Sequence, residues 1–200
     1  MRTILEKTES LIEVEKSKFI SVCGPLTNTD DFKIILKEIK QIYPNARHYC
    51  YAYVVNGAFK SSDDGEPSGT AGRPLSNLLQ TREVNNSYII TIRYFGGIKL
   101  GASRLLRTYV DSANQTLSKV KYGVYKELIS NHLMDLTYDE FYQLQNYANN
   151  HNLILENVIY SNNINLDIIS DNDIEEIINA LFKGKIKIIS KEKITKIVEE

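Results

Sequence analysis

Tyr88-Ile89-Ile90-Thr91-Ile92-Arg93-Tyr94-Phe95-Gly96-Gly97-Ile98-Lys99-Leu100-Gly101 sets the fold class. Its first part, Tyr88–Ile92, is an unbroken β-branched and aromatic run and reads as a buried strand. The glycines end that strand. A helix is expected from about Ala102 to Lys119, with Leu105, Leu106, Tyr109, Val110, Ala113 and Leu117 as its apolar stripe. Arg104, Arg107 and Asp111 fall on its other face. Glycines let backbone N–H groups turn toward one point, and a helix start adds positive potential. Lys99 and Arg104 supply formal charge beside it. Gly96, Gly97, Lys99, Gly101, Arg104 and Arg107, helped by Arg73 and Arg93, are therefore candidate contacts for a phosphate or an RNA backbone. Close packing of the turn is the alternative, because the run lacks the spacing of a Walker loop or a dinucleotide fingerprint.

Upstream, Leu11–Val14 and Phe19–Val22 read as strands. A helix is expected from about Thr29 to Pro44, with Phe32, Ile35, Leu36, Ile39 and Tyr43 inward. His48–Val55 reads as a strand ending at the hairpin signal Asn56-Gly57. Strand alternation puts His48, Cys50, Ala52 and Val54 on one face and Tyr49, Tyr51 and Tyr53 on the other. The tyrosines would either stack unpaired bases or form a half-buried sheet face. His48 and Cys50 stand roughly 7 Å apart along the strand, too far for a nucleophilic pair.

Residues 61–74 must be largely loop, with a short helix after it and Pro74 near its first turn. Within it, Asp63, Asp64 and Glu66 crowd three carboxylates together. Such charges need compensation, from backbone N–H groups, from Arg73, or from Mg²⁺ as the one cofactor this pattern would admit. His48, Asp63, Asp64, Glu66, Ser68 and Thr70 are the candidate functional residues here. No catalytic set and no metal-ligand set is assigned.

Residues 127–200 read as β-α-β-β-α-β: strand Leu128–Leu136, helix Tyr138–Asn149, strands Leu153–Tyr160 and Ile164–Ile169, helix Asp173–Phe182, strand Ile186–Ile189. That is the ferredoxin-like order. The net charge of the whole chain is −1, but residues 1–126 carry 18 Lys+Arg and 12 Asp+Glu, against 6 and 13 in residues 127–200. A +6 half and a −7 half argue for two domains, 1–126 and 127–200. No apolar run approaches the ~20 residues of a membrane span, and no signal-peptide core follows Met1. Cys23 and Cys50 are expected to be reduced, in a cytoplasmic protein.

Ser62–Pro74 and Arg93–Ala102, followed by Leu106-Arg107 and Tyr109, resemble the paired motifs of the YigZ/IMPACT family, as do Ala46, His48, Cys50 and Ala52. The resemblance is strong over about residues 17–125 and looser beyond. The family usually has Gly-Gly where this chain has Ser103-Arg104, and Ala where it has Thr108; the substitution favours an anion contact at 104. The resemblance implies an α+β protein of two domains. The first would be an N-terminal α/β fold like the second domain of a small-subunit ribosomal protein, also found in elongation factor G. The second would be a C-terminal ferredoxin-like βαββαβ sandwich. It also implies a translation link, because eukaryotic relatives are translational regulators, and no established enzymatic activity.

The leading expectation is a non-enzymatic, translation-associated regulator that binds RNA or the ribosome through its basic first domain. A Mg²⁺-dependent hydrolase or transferase on a phosphorylated small molecule and a protein-interaction adaptor are the alternatives. No membrane partner is expected, and the oligomeric state is left open.

Overall fold

A computed structural model describes residues 1–200. The chain divides into two units, Met1–Val124 with Val198–Glu200, and Tyr125–Ile197. No helix is long and apolar enough to cross a membrane.

The first unit contains β1 (Arg2–Ile4), β2 (Thr8–Val14), β3 (Ser17–Pro25), α1 (Thr29–Ile42), β4 (His48–Val55), β5 (Ala58–Ser62), α2 (Gly72–Thr81), β6 (Ser87–Tyr94) and α3 (Ala102–Leu117). Five strands form an antiparallel sheet in the order β2-β3-β6-β4-β5. The central strand β6 is the apolar run quoted above, and its central position explains that composition: Tyr88, Ile89, Ile90 and Ile92 are all buried.

One face packs on α1. The Asn28 side chain accepts the N–H groups of Asp30 and Asp31 and so starts that helix. Phe32 and Ile39 then meet Val22, Tyr49, Tyr53, Ile90 and Ile92. The Phe32 ring lies 4.8 Å from that of Tyr51 and 4.4 Å from that of Tyr53. The tyrosine row is therefore core, with no face left for bases. The other sheet face meets α2 and α3 through Phe19, Cys23, Cys50, Ala52, Ile89, Leu75, Leu79, Leu105, Tyr109 and Ala113.

Several boundaries move. The loop is shorter than 61–74, because Ser61 and Ser62 extend β5 and α2 already begins at Gly72. A Cβ on Gly72 would come within 2.6 Å of the Ser62 backbone, so only glycine lets helix and strand meet there. In α3, Leu106 of the expected stripe is exposed, and buried Thr108, Ser112 and Thr116 take part in the sheet contact instead. Ser21 Oγ lies 2.7 Å from Thr91 Oγ1 and 2.8 Å from Ser112 Oγ, and Ser10 Oγ lies 2.6 Å from Thr116 Oγ1. These hydroxyls satisfy one another inside the sheet–helix layer, which apolar periodicity cannot foresee. Strand β1 was not foreseen either.

β7 (Tyr122–Leu136) leads from the first unit into the second, which continues through α4 (Tyr138–Asn150), β8 (Ile154–Tyr160), β9 (Ile164–Ser170) and α5 (Glu175–Phe182), and β10 (Ile188–Glu199) leads back to the first. The strand β7 starts at Tyr122 and not at the expected Leu128, because Tyr122, Gly123 and Val124 pair with β1. The final strand is also longer than Ile186–Ile189 and runs to Glu199. Its charged residues hid it, since only alternate positions after Lys193 are even half-buried. β9 lies between β7 and β8, and β10 pairs with β7. Thr137 and Glu140 close a capping box at the start of α4. The core gathers Leu133, Leu136, Leu144, Leu166, Ile168, Ile178 and Phe182. The architecture of the chain is mixed α/β.

Candidate functional site

The strand register of the first unit places Phe19, Arg93 and His48 in one cross-strand row, with Ser21, Thr91 and Cys50 in the next. Arg93 is buried, 5% exposed. The Asp63–Gly72 loop folds over this row and delivers Glu66 to it. Arg93 Nη1 donates to Glu66 Oε1 at 2.7 Å, and the Tyr109 hydroxyl donates to the same oxygen at 2.9 Å. Burial raises the Tyr109 pKa, with Cys50 and Glu66 adding to the effect, so the hydroxyl keeps the proton it donates.

His48 faces this group from the side. Its Nδ1 lies 2.8 Å from the Asp64 carbonyl oxygen, which can only accept, so Nδ1 carries a proton. Its Nε2 is 3.8 Å from Glu66 Oε2. Cys50 does not join a nucleophilic pair. Its Sγ lies 3.0 Å from the Asp63 carbonyl and 3.3 Å from the Tyr109 hydroxyl, and burial pushes its pKa up, so it stays a thiol. Cys23 is also free and buried, its pKa pushed up to about 12 by burial.

The three crowded carboxylates point to different tasks. Asp63 accepts the backbone N–H groups of Gly69, Ala71 and Gly72 at 2.9, 3.0 and 2.8 Å. Burial works to raise its pKa, and those three donors outweigh it and hold the carboxyl below its ordinary value. Asp64 Oδ2 accepts the Tyr49 N–H at 2.6 Å. Glu66 is held by Arg93 and Tyr109. All three carboxylates are thus engaged within the protein, and no group of three His, Cys, Asp or Glu side chains that could hold a metal occurs. Thr70 Oγ1 donates to the Pro67 carbonyl at 2.6 Å and shapes the loop. Ser68 is exposed and makes no hydrogen bond.

Beside this network opens a cavity of about 390 Å³. Its lining includes Arg47, His48, Glu66 and Arg93 together with Lys99 and the start of α3 at Gly101 and Ala102, and Pro67, Phe95, Leu100 and Leu105 supply apolar surface. The start of α3 therefore opens on it, with no side chain capping Gly101 and no acidic residue in the first turn. The guanidinium of Arg47 lies 5.3 Å from the Phe95 ring centroid.

Both loops and the helix start fall inside a matched region: residues 15–117 match the Impact N-terminal domain. The chain belongs to the IMPACT family. It is 33% identical over 168 residues to IMPACT family member YvyE of Bacillus subtilis (strain 168), covering 82% of this chain and 77% of that one. It is 38% identical over 114 residues to an IMPACT family member of Haemophilus influenzae, where the match spans 54% of this chain and 55% of the relative. With IMPACT family member YigZ of Escherichia coli (strain K12) the identity is 34% over 113 residues, again about half of each chain, 54% and 55%. A solved hypothetical protein covers 94% of this chain at a TM-score of 0.61 and 23% identity, a likeness of fold.

The site residues named from sequence divide into three groups within this IMPACT domain. Lys99, Gly101, Arg93, His48 and Glu66 meet at the cavity. Gly96 serves packing: its Cβ would fall 2.1 Å from the Lys16 backbone, and its N–H donates to Ser17 Oγ at 3.0 Å. Gly97 and Gly101 adopt φ of +90° and +76°, which suits glycine. Arg73, Arg104 and Arg107 do not line the cavity. Arg104 pairs with Glu15 at 2.9 Å on the surface, whereas Arg73 and Arg107 are exposed and make no ion pair. Two participants lay outside the sequence-based set. Arg47 precedes β4, and only its position next to the His48 row could have drawn it in. Tyr109 sits in the apolar stripe of α3, where a hydrogen-bonding tyrosine is indistinguishable from a packing one.

Proposed function

We propose that this IMPACT family member is a translation-related regulator that acts by binding, with RNA or the ribosome as the partner of its first unit. One observation carries the binding role: the acidic side chains of the family loop are engaged internally, while the cations Arg73, Lys99 and Arg107 are exposed and unpaired. Arg104 adds a fourth, because an exposed pair such as Arg104–Glu15 is worth at most about 1 kcal/mol and yields to a phosphate. The family resemblance supplies the link to translation, and a cytoplasmic site of action goes with it.

The fold supports the same reading in finer terms. The strand neighbours β10-β7-β9-β8 with two intervening helices support a ferredoxin-like second unit. The five-stranded sheet between α1 and the α2–α3 pair is the part that would correspond to the ribosomal-protein domain implied by the family resemblance. The −7 charge of residues 127–200 would keep a polyanion to the first unit.

The test is RNA binding by the full chain at 50 and 200 mM salt. Affinity should fall linearly on a log–log plot, and Arg73→Ala with Arg107→Ala should reduce the slope by about 2. Binding indifferent to salt and to both substitutions overturns the RNA reading.

A further inference from the structure

The cavity holds a feature that internal pairing leaves unexplained. Arg93 is 5% exposed, and its Nε has no hydrogen-bond partner although water cannot reach it. A guanidinium offers five N–H donors, and here the protein answers only through Glu66 Oε1. Phe19 and Phe95 lie 5.2 and 5.5 Å from its central carbon and accept no ordinary hydrogen bond. Nε itself is enclosed by protein, whereas the guanidinium it belongs to lines the cavity with a single hydrogen bond, to Glu66, and so brings donor capacity to that space.

The surroundings specify the occupant. Arg47, Arg93 and Lys99 against Glu66 give the lining a formal +2 with His48 neutral. The uncapped start of α3, at Gly101 and Ala102, adds positive potential to the same wall. A phosphate monoester carries about −1.5 to −2 at neutral pH and matches that charge. Phe95, Leu100, Leu105 and Pro67 make the rest apolar. At about 390 Å³ the space exceeds what inorganic phosphate needs and falls in the range of small-molecule sites.

We propose that this cavity binds a phosphate monoester with a flat or apolar body, of the nucleoside monophosphate class. Its phosphate meets Lys99, Arg47 and the start of α3 above Arg93, and its body lies against Phe95 and Leu100. The site shares Lys99 with the proposed RNA contacts but neither Arg73 nor Arg107, so a nucleotide held at Arg47 and Lys99 stands or falls apart from RNA binding through Arg73 and Arg107.

The test is calorimetric titration of the full chain with AMP, adenosine, and an RNA 10-mer carrying either a 5′-phosphate or a 5′-hydroxyl. Lys99→Ala and Arg47→Ala are the site variants; both side chains are exposed and free of ion pairs, so folding is preserved. Lys37→Ala, an exposed cation on α1 away from the cavity, is the control. AMP should bind at least about tenfold more tightly than adenosine, and each site variant should lose about tenfold while Lys37→Ala loses none. AMP binding identifies a free nucleotide; binding confined to the 5′-phosphorylated RNA, and lost in Lys99→Ala, identifies a chain end. Either supports the site. No preference for phosphate over hydroxyl, or equal loss in Lys37→Ala, overturns it.

Discussion

The two glycine-containing loops of the first unit carry opposite charge and use it in opposite ways. In Asp63–Gly72 each carboxylate is engaged within the protein: Asp63 by three backbone N–H groups, Asp64 by Tyr49, Glu66 by Arg93 and Tyr109. In Phe95–Gly101 the cation Lys99 has no partner, and the helix that follows has no cap. The denser charge cluster is thus the scaffold, and the sparser one is the exposed surface. Crowding in a sequence reports a need for compensation, and only the fold shows whether the compensator is internal.

The contrast can be broken at its strongest point first. Glu66→Gln removes the counter-charge of buried Arg93 and should destabilise the first unit by about 3–5 kcal/mol, read from denaturant unfolding. An unchanged midpoint would mean that Arg93 is not held through Glu66.

Gly96→Ala tests the packing part of the basic loop. Its new methyl group meets the Lys16 backbone, and a loss of about 2–3 kcal/mol is expected. A neutral result would free Gly96 for a ligand role.

Asp63→Asn should cost about 2 kcal/mol at pH 7 through weaker bonds to the loop N–H groups. Its folded-state pKa is lowered, so the carboxylate stabilises fully above its unfolded pKa of about 4 and loses that contribution as acidification passes through the folded value. The stability gap between wild type and Asp63→Asn should therefore close as pH falls below about 4. A gap that persists at pH 2 would assign the effect to shape instead of charge.

The smallest effect is expected at the exposed cations. Arg73→Ala and Arg107→Ala should each leave stability within about 0.5 kcal/mol of wild type while weakening RNA binding. A large stability loss at either would move it to the structural side of the comparison.

Most of the fold was legible because periodicity reports burial directly. His48–Val55 was bounded correctly, since strand alternation and Asn56-Gly57 mark both its face and its end. The last strand was cut short because residues such as Lys191, Glu192 and Lys193 give no apolar signal on an exposed edge. The site was half legible. Glycine and lysine in a strand-to-helix turn marked one wall of the cavity. The sequence places Arg93 among the phosphate contacts beside Lys99, and nothing local shows that it shares a row with Phe19 and His48 on a covered sheet face. That arrangement depends on pairing partners far along the chain.

The hydroxyl row beneath α3 has a mechanical consequence. Ser112 and Thr116 are four residues apart, one helical turn, and both engage the sheet side through Ser21 and Ser10. Sliding α3 along its axis by a single residue would strand all of these buried oxygens at once. The helix is therefore locked like a rack on its pinion, and its amides should be among the slowest to exchange with deuterium. The wall it presents to the cavity cannot widen by translation.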